Sequence, residues 1–133
     1  AKREKPFRIT ISTIEDKMLY DIKEFNVETG KSVILTFKNK DFPPHNLLIV
    51  KPGKADEVAN LAIALGNDGF GKQWRPDTPM ILWGSTMIDY DEETVLSFTA
   101  PPPGDYPYVC TFPGHAMMMR GVMKVTPKAE KKK

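Results

Sequence analysis

Cysteine and histidine are scarce in this 133-residue chain, which contains one cysteine and two histidines. A single cysteine excludes a disulfide within the chain. Long apolar runs are also absent, so the sequence predicts no transmembrane span and no insertion into a membrane. Residues 1–5, AKREK, show no signal-peptide pattern, and we therefore expect either a mature secreted protein or a domain of a longer one.

Charge is distributed unevenly along a chain of otherwise ordinary composition, 41% hydrophobic and 27% charged. Residues 1–8 carry four basic residues against one glutamate, and so do residues 128–133, so that residues 9–127 are net acidic. We interpret the ends, 1–8 and 128–133, as basic tails or linkers on a single domain at 9–127. Basic and aromatic residues are not interleaved, which argues against a nucleic-acid partner.

Several short segments with strand character alternate with turn signals along the chain. Phe7, Ile9 and Ile11 alternate with polar residues, and Val33, Leu35 and Phe37 repeat the period of two. Six further segments have strand character: Met18 to Ile22, Asn46 to Val50, Leu82 to Ile88, Thr94 to Ala100, Tyr106 to Cys110 and Val122 to Thr126. About eight strands with Gly- and Pro-rich connections predict an all-β sandwich or barrel of two sheets.

One connection is too long for a simple turn and has helical periodicity. Apolar residues recur there at i, i+3, i+4 and i+7, namely Val58, Leu61, Ala62 and Leu65. Asp56 and Glu57 near the start and Gly66 after the last apolar position are typical helix boundaries. We therefore predict one helix, in an insertion at about 51–80, that covers one side of the sandwich.

The residues most informative about function lie between positions 110 and 119. Cys110, His115 and Met119 provide a thiolate, an imidazole and a thioether, and His45 is the other histidine of the chain. Soft sulfur ligands favour Cu(I), and two histidines, one cysteine and a weak axial methionine form the ligand set of an electron-transfer copper site. The Pro-Gly turn at 113–114 can reverse the chain and bring the three ligands of this loop together.

Three other interpretations fit parts of this pattern. A lone cysteine and its neighbouring methionines are commonly core residues, although this does not explain why both histidines lie at matching positions. Zinc also accepts cysteine and histidine, but a thioether is a poor ligand for it. A nucleophilic Cys–His pair would need an orienting residue and a substrate pocket, and the sequence indicates neither.

The spacing Cys-x4-His-x3-Met, together with the pair His45-Asn46, resembles azurin-like members of the cupredoxin family, the blue copper proteins. The resemblance implies a Greek-key β-sandwich or barrel of about eight strands with one helical flap. It also implies one copper ion held by His45, Cys110 and His115, with Met119 as a weak axial ligand. The chain departs from azurin-like proteins by lacking their disulfide.

The resemblance extends to residues around these ligands. It implies that the Asn46 side chain ties the His45 segment to Thr111, and that backbone N–H groups of Asn46 and Phe112 point at the Cys110 sulfur. Such hydrogen bonds tune the reduction potential of a copper site. Pro44 replaces the glycine of azurin-like sites, and its backbone carbonyl could make a fifth, weak contact to the metal.

The resemblance implies a type 1 copper electron-transfer protein that shuttles single electrons by cycling between Cu(I) and Cu(II). We expect no enzyme activity, because no third histidine is present to build the second copper centre of a multicopper enzyme. Two alternatives stay open, an electron-transfer module of a larger redox enzyme and a copper storage or delivery protein. We also expect the reduction potential to change little between pH 6 and 8, since no other histidine titrates there.

Redox proteins, such as a cytochrome or a copper or haem oxidoreductase, are the expected partners of a monomeric carrier in the periplasm or another extracytoplasmic location. His115 is the expected electron port. An apolar docking patch is expected around it, formed by Phe42, Pro43, Pro113, Ala116 and Met117. The acidic run Asp89, Asp91, Glu92 and Glu93 could steer a basic partner, although a solvated turn is the commoner explanation.

Overall fold

Nine β-strands are the main regular elements of residues 5–128, the part of the chain that the computed structural model describes. The strands are β1 (Phe7–Ile14), β2 (Leu19–Tyr20), β3 (Glu24–Glu28), β4 (Ser32–Lys38), β5 (Leu48–Val50), β6 (Ile81–Gly84), β7 (Glu93–Thr99), β8 (Gly104–Val109) and β9 (Arg120–Thr126). One α-helix, α1 (Ala55–Ile63), and one 3-10 turn (Gly66–Asp68) lie between β5 and β6.

The strands form two mixed sheets. The first has the order β2-β1-β4-β7, and the second has the order β3-β9-β8-β5-β6. Each sheet contains one parallel pair, β1 with β4 and β3 with β9, and the remaining pairs are antiparallel. Alternate residues of β4, which are Val33, Leu35 and Phe37, are buried, as expected for strands with one face in the core.

This architecture confirms the predicted all-β sandwich and adds one strand to the predicted eight. The missed strand, β3, alternates buried Phe25 and Val27 with exposed polar residues. Strand β1 begins at Phe7, so positions 7 and 8 belong to a strand rather than to the predicted tail. Residues 1–4 and 129–133, which hold most of the two predicted tails, lie outside the described residues.

The insertion contains the predicted helix, but the helix is shorter and presents a different face. It ends at Ile63, so Leu65 lies beyond it, and Leu61 is 40% exposed. Its buried face is made of small residues and one valine: Ala55, Val58, Ala59 and Ala62. Of these, Ala55 and Val58 pack in one cluster with Leu48 and Val109. Small residues allow the helix backbone to approach β5 and β8 closely. Within residues 5–128, no helix has the length and apolar character needed to cross a membrane.

An aromatic cluster connects the core to the segment of His45. Tyr108 packs against Tyr20 and Phe25 with ring centroids 5.3 and 6.0 Å apart. The Tyr20 hydroxyl donates a hydrogen bond of 2.7 Å to the backbone carbonyl of Asn46. Gly121 on β9 faces the Tyr108 ring, and a Cβ at that position would lie 2.2 Å from a ring atom. A glycine at position 121 is therefore required for β9 to lie this close to the Tyr108 ring of β8.

Candidate metal centre

Three buried side chains converge at one end of the sandwich: His45, Cys110 and His115. Their ligand atoms all lie within 4.8 Å of one another. Sγ of Cys110 is 3.7 Å from Nδ1 of His45 and 3.6 Å from Nδ1 of His115. The cysteine and His45 are fully buried, and His115 is 5% exposed. Cys110 lies 65 positions after His45 and 5 before His115 in the sequence, and the fold brings all three together.

Strand ends and one hydrogen-bonded turn position the three side chains. Cys110 directly follows β8, and His45 forms an isolated antiparallel bridge with Ile88 through hydrogen bonds of 3.2 and 3.0 Å. His115 lies in the turn after Cys110, where its N–H donates to the carbonyl of Phe112 at 3.0 Å. Gly114 has a φ of +86°, a conformation that favours glycine, so the Pro-Gly sequence explains the turn.

Met119 closes this turn beside Cys110. Its N–H donates to the carbonyl of His115 at 2.8 Å, and its carbonyl accepts the N–H of Cys110 at 3.1 Å. The Met119 side chain is fully buried. The backbone therefore holds Met119, the fourth ligand predicted from the sequence, next to Cys110. Pro44, the position of the possible carbonyl contact, directly precedes His45 and is half-buried.

Two hydrogen bonds join the His45 segment to the Cys110 loop. The Asn46 side chain donates to Oγ1 of Thr111 at 2.9 Å and accepts the Thr111 N–H at 2.8 Å. The Thr111 hydroxyl donates in turn to the carbonyl of Trp74, which ties the long insertion to the same point. This is the arrangement that the resemblance implied for Asn46 and Thr111.

Burial sets the protonation of the metal-free cluster. It raises the pKa of Cys110 to about 11, against smaller lowering effects of the backbone N–H groups of Asn46 and Phe112. Burial lowers the pKa of His115 to about 4, assisted by His45 nearby. The pKa of His45 is also lowered by burial, which the hydrogen bond to Asp41 opposes. At neutral pH the cluster therefore consists of one thiol and two neutral imidazoles.

These residues fit a soft or borderline metal ion. Two imidazole nitrogens and one sulfur, all buried and within a few ångströms, form a compact nitrogen and sulfur donor set that suits copper or zinc. The buried thiol becomes a ligand by losing its proton, because the thiolate is the form that binds metals. The nucleophile hypothesis gains no support from this geometry, because burial raises the pKa of Cys110 and so disfavours the reactive thiolate at neutral pH.

Comparison with known proteins decides the family. The sequence profile described as copper binding proteins, plastocyanin/azurin family, matches residues 8–126. This chain belongs to the plastocyanin/azurin family of copper-binding proteins. Copper is therefore the metal that His45, Cys110 and His115 could hold, and the resemblance to cupredoxins is confirmed.

Curated relatives and a solved structure agree with this assignment. Auracyanin-A of Chloroflexus aurantiacus is 35% identical over 122 residues, which cover 90% of this chain and 75% of that protein. Outer membrane protein H.8 of Neisseria gonorrhoeae is 32% identical over 125 residues, covering 86% of this chain and 66% of that protein. The solved structure of auracyanin A, a "blue" copper protein, superimposes with a TM-score of 0.82 at 31% identity, covering 92% of this chain and 100% of that one.

This cupredoxin spans only part of the length of its curated relatives. The shared region is 52% of Auracyanin-B of Chloroflexus aurantiacus, which is 37% identical over 122 residues and 90% of this chain.

The predicted docking residues of this cupredoxin differ in exposure. Phe42 is 83% exposed and Met117 is 89% exposed. Pro113 is also exposed, whereas Pro43 and Ala116 are half-buried. The Phe42 ring stacks on Tyr90, with centroids 5.6 Å apart. Tyr90 was not predicted to lie at this surface, because no local sequence pattern relates it to a residue so far upstream.

Local contacts account for most of the acidic run near Tyr90. Asp91 pairs with Lys40 at 3.1 Å, and Glu93 approaches Lys38 at 3.9 Å. Glu92 accepts the N–H of Asp89 at 2.6 Å. This pattern favours the interpretation as a solvated turn over that of a steering surface.

Asp41 is the residue at the centre that the sequence interpretation missed. Its side chain is 2% exposed, and its Oδ2 lies 2.9 Å from Nε2 of His45. Burial raises the pKa of this carboxyl, but hydrogen bonds from Asp16, His45 and Phe42 outweigh it, so the net shift is downward. No sequence signal identified it, because an aspartate in a loop four residues before His45 usually faces solvent.

Proposed function

We propose that this cupredoxin is a type 1 copper electron-transfer protein that carries single electrons between redox partners and has no substrate turnover of its own. The observation that supports it most is the buried convergence of Nδ1 of His45, Sγ of Cys110 and Nδ1 of His115 within 4.8 Å. Copper bound there would supply a one-electron couple. The ligand set of two histidines and one cysteine is that of electron-transfer copper.

Rigidity of the ligands supports electron transfer. Cu(I) and Cu(II) prefer different geometries, so ligands that barely move keep the rearrangement that accompanies electron transfer small. His45 is held by its bridge to Ile88, and Cys110 by its N–H bond to Met119. Asn46 and Thr111 then join the two segments to each other. Ligands on such stiff elements are expected to keep one geometry in both oxidation states.

Met119 is proposed as the weak axial ligand, and the Pro44 carbonyl as a possible fifth contact on the opposite side. Full burial of Met119 beside Cys110 supports the first assignment. Met119→Leu conserves volume, so the fold should persist while the reduction potential changes. An unchanged potential would contradict the axial assignment. Met123→Leu, which alters a fully buried methionine further along β9, is the matched control.

Docking through the apolar surface around His115 is part of the same proposal. Phe42 and Met117 expose most of their area, and exposed apolar patches mark interaction sites. The partners would be redox proteins such as a cytochrome or a copper or haem oxidoreductase, met briefly by a monomeric carrier. An extracytoplasmic location, such as the periplasm, is proposed from the family and is consistent with the name of the outer membrane relative.

The experiment that tests this function is repeated redox cycling of the copper-loaded protein in the presence of a Cu(I) chelator. A carrier retains one copper through many cycles, because the buried ligands hold both oxidation states. A storage or delivery protein instead loses its copper to the chelator after the first reduction. Copper content and optical spectrum are measured after each cycle. Loss of most of the copper within the first few cycles would contradict the carrier function and favour delivery.

Partial coverage of the curated relatives leaves room for a module of a larger redox protein. Such a module would show the same retention of copper, so cycling does not distinguish it from a free carrier. Electron exchange with a dissolved cytochrome tests instead the docking that a free carrier needs. A free carrier should exchange electrons at a rate proportional to the cytochrome concentration, and Met117→Glu should slow it by placing a charge in the docking patch.

A further inference from the structure

The His45 ring lies between a buried carboxylate and the ligand cluster. Its Nε2 is 2.9 Å from Oδ2 of Asp41, and its Nδ1 is 3.7 Å from Sγ of Cys110. Both side chains of the Asp41–His45 contact are buried. The His45 side chain is fully buried, and the Asp41 side chain is 2% exposed. One ring nitrogen therefore faces the carboxylate and the other faces the cysteine.

The loop around Asp41 fixes the orientation of its carboxylate. Oδ1 accepts the backbone N–H groups of Asp16 and Phe42, each at 3.0 Å. The Asp41 N–H donates to the side-chain oxygen of Asn39 at 2.9 Å, and the Asn39 amide donates to the Pro43 carbonyl at 2.9 Å. Because Oδ1 is occupied by two donors, Oδ2 is the oxygen presented to the histidine.

Hydrogen-bond chemistry then determines which nitrogen of His45 carries the proton. An ionised carboxylate can only accept hydrogen bonds, so the nitrogen facing it has to be the donor. The two backbone N–H groups that donate to Oδ1 of Asp41 favour the ionised carboxylate as the acceptor at Oδ2. A neutral imidazole has a single N–H. If Nε2 holds that proton, Nδ1 has a free lone pair on the side of Cys110.

We propose that Asp41 is a positioning residue of the metal centre. It holds His45 as the Nε2–H tautomer, which presents the Nδ1 lone pair beside Cys110, and its buried negative charge favours the oxidised form of bound copper. Carboxylates that orient a metal-binding histidine in this way also raise the basicity of the ring. The tautomer depends only on atoms of this chain, whereas the effect on the oxidation state rests on the proposed function.

The electrostatic part follows from counting charges. The Cys110 thiolate and the Asp41 carboxylate together provide two negative charges in a buried site. They neutralise a divalent ion and leave an excess negative charge around a monovalent one. Charge interactions are strong where water is excluded, so the carboxylate stabilises the higher oxidation state. Its loss should therefore raise the reduction potential.

The tautomer is measured first, on the metal-free full-length protein at pH 7, through the nitrogen-15 chemical shifts of the His45 ring. We expect a protonated Nε2 and an unprotonated Nδ1. A protonated Nδ1, or an even mixture of the two tautomers, would overturn the proposal. This measurement needs no substitution, so it does not depend on whether a variant folds.

Asp41→Asn reverses the hydrogen bond. The new side chain has one oxygen, which is needed by the N–H groups of Asp16 and Phe42, so its amide group would face Nε2 of His45. The opposite orientation would place the amide NH2, itself a donor, against the N–H groups of Asp16 and Phe42. Nε2 should then become an acceptor, and the Nδ1–H tautomer should predominate. If the variant retains the nitrogen-15 shifts of the unmodified protein, Asp41 does not set the tautomer.

The copper-loaded proteins test the electrostatic part. At a fixed potential we expect the ratio of reduced to oxidised protein to rise at least tenfold in Asp41→Asn, a shift of about +59 mV for one electron. We also expect copper affinity to fall by about 10- to 100-fold. The matched control is Asp21→Asn, which removes an exposed carboxylate that accepts the Ser12 N–H at 2.8 Å.

Two results would contradict the electrostatic part. One is a ratio that changes in Asp41→Asn no more than in Asp21→Asn. The other is an unmodified protein that binds copper without a blue-copper spectrum, which would also contradict the proposed function. In either case the nitrogen-15 shifts of the metal-free protein still decide the tautomer, so failure of the function and failure of the Asp41 assignment are distinguishable.

Discussion

Asn46 and Thr111, 65 residues apart, exchange two hydrogen bonds of 2.9 and 2.8 Å, and each is next in sequence to a candidate metal ligand, His45 or Cys110. Both side chains are buried. The pair therefore links the two halves of the candidate copper site through groups that have no water to replace their partners.

Asn46→Ala should destabilise the protein by about 2–3 kcal/mol, because it removes two buried hydrogen bonds and leaves the Thr111 N–H unpaired. Chemical denaturation of the metal-free protein measures the change. Asn26→Ala is the control, since Asn26 is exposed on β3 and should change the free energy of unfolding by less than about 0.5 kcal/mol. Equal effects of the two substitutions would show that the Asn46–Thr111 hydrogen bonds do not contribute to the free energy of unfolding.

Gly121→Ala should destabilise the fold because its new methyl group would meet the Tyr108 ring at 2.2 Å. The ring is fully buried and cannot move without disturbing Tyr20 and Phe25. We expect a loss on the order of 1–3 kcal/mol, the usual cost of overpacking. At Gly71, where the nearest atom would lie 3.7 Å from an added methyl carbon, the same change should cost little. A stable Gly121→Ala protein would refute the close approach of β9 to β8.

Metal binding should release about one proton per ion at pH 7. The pKa of Cys110 is raised to about 11, so the metal-free protein holds a thiol that has to ionise, whereas His115, with a pKa lowered to about 4, has no proton to lose at its ligand nitrogen. Calorimetric titration with Zn²⁺ in buffers of different ionisation enthalpy measures this number. Zinc avoids redox chemistry with the thiol.

The same pKa values predict how zinc affinity depends on pH. The association constant should rise about tenfold per pH unit between about pH 5 and pH 10, because one proton leaves in that range. It should rise more steeply below about pH 4, where His115 also has to lose a proton. Cys110→Ser removes the thiol and should abolish this release. Release of two protons at pH 7 would mean that a histidine is charged there, against the effect of burial.

Stability of the metal-free protein should fall as the pH drops from 6.5 towards 4. The pKa values of His45 and His115 are lowered in the folded state, so the unfolded chain binds more protons in this range and is favoured by acid. The free energy of unfolding should change by at most about 1.4 kcal/mol per pH unit for each histidine. His115→Gln should reduce this slope. A slope that is unchanged in the variant would contradict the assignment to His115.

The cluster of His45, Cys110 and His115 was predictable because a short motif carries most of its chemistry. One segment with a Pro-Gly turn contains Cys110, His115 and Met119. Because the chain has only two histidines, His45 was the one candidate for a second histidine ligand. Alternation of period two likewise identified β1 and β4. These signals are local, and each depends on residues close to one another in the sequence.

The features that the sequence did not reveal depend on contacts between distant segments. Asp41 is buried because Asp16 and Asn39 supply hydrogen-bond partners that keep it there, and no local pattern distinguishes it from a solvated loop aspartate. The buried face of α1 differed from the predicted one for a related reason. Packing against β5 and β8 favours small residues at the contact, so the alanines are buried and Leu61 is exposed.

The most direct test is the visible absorption and EPR spectrum of the protein loaded with one equivalent of Cu(II), compared with Cys110→Ser. Met118→Leu, at an exposed position of the same loop, is the control. The proposed function predicts an intense thiolate-to-copper band and a narrow copper hyperfine splitting in the unmodified protein and the control, and their loss in Cys110→Ser. A colourless protein with ordinary tetragonal copper signals would contradict the blue-copper site and the electron-transfer function built on it.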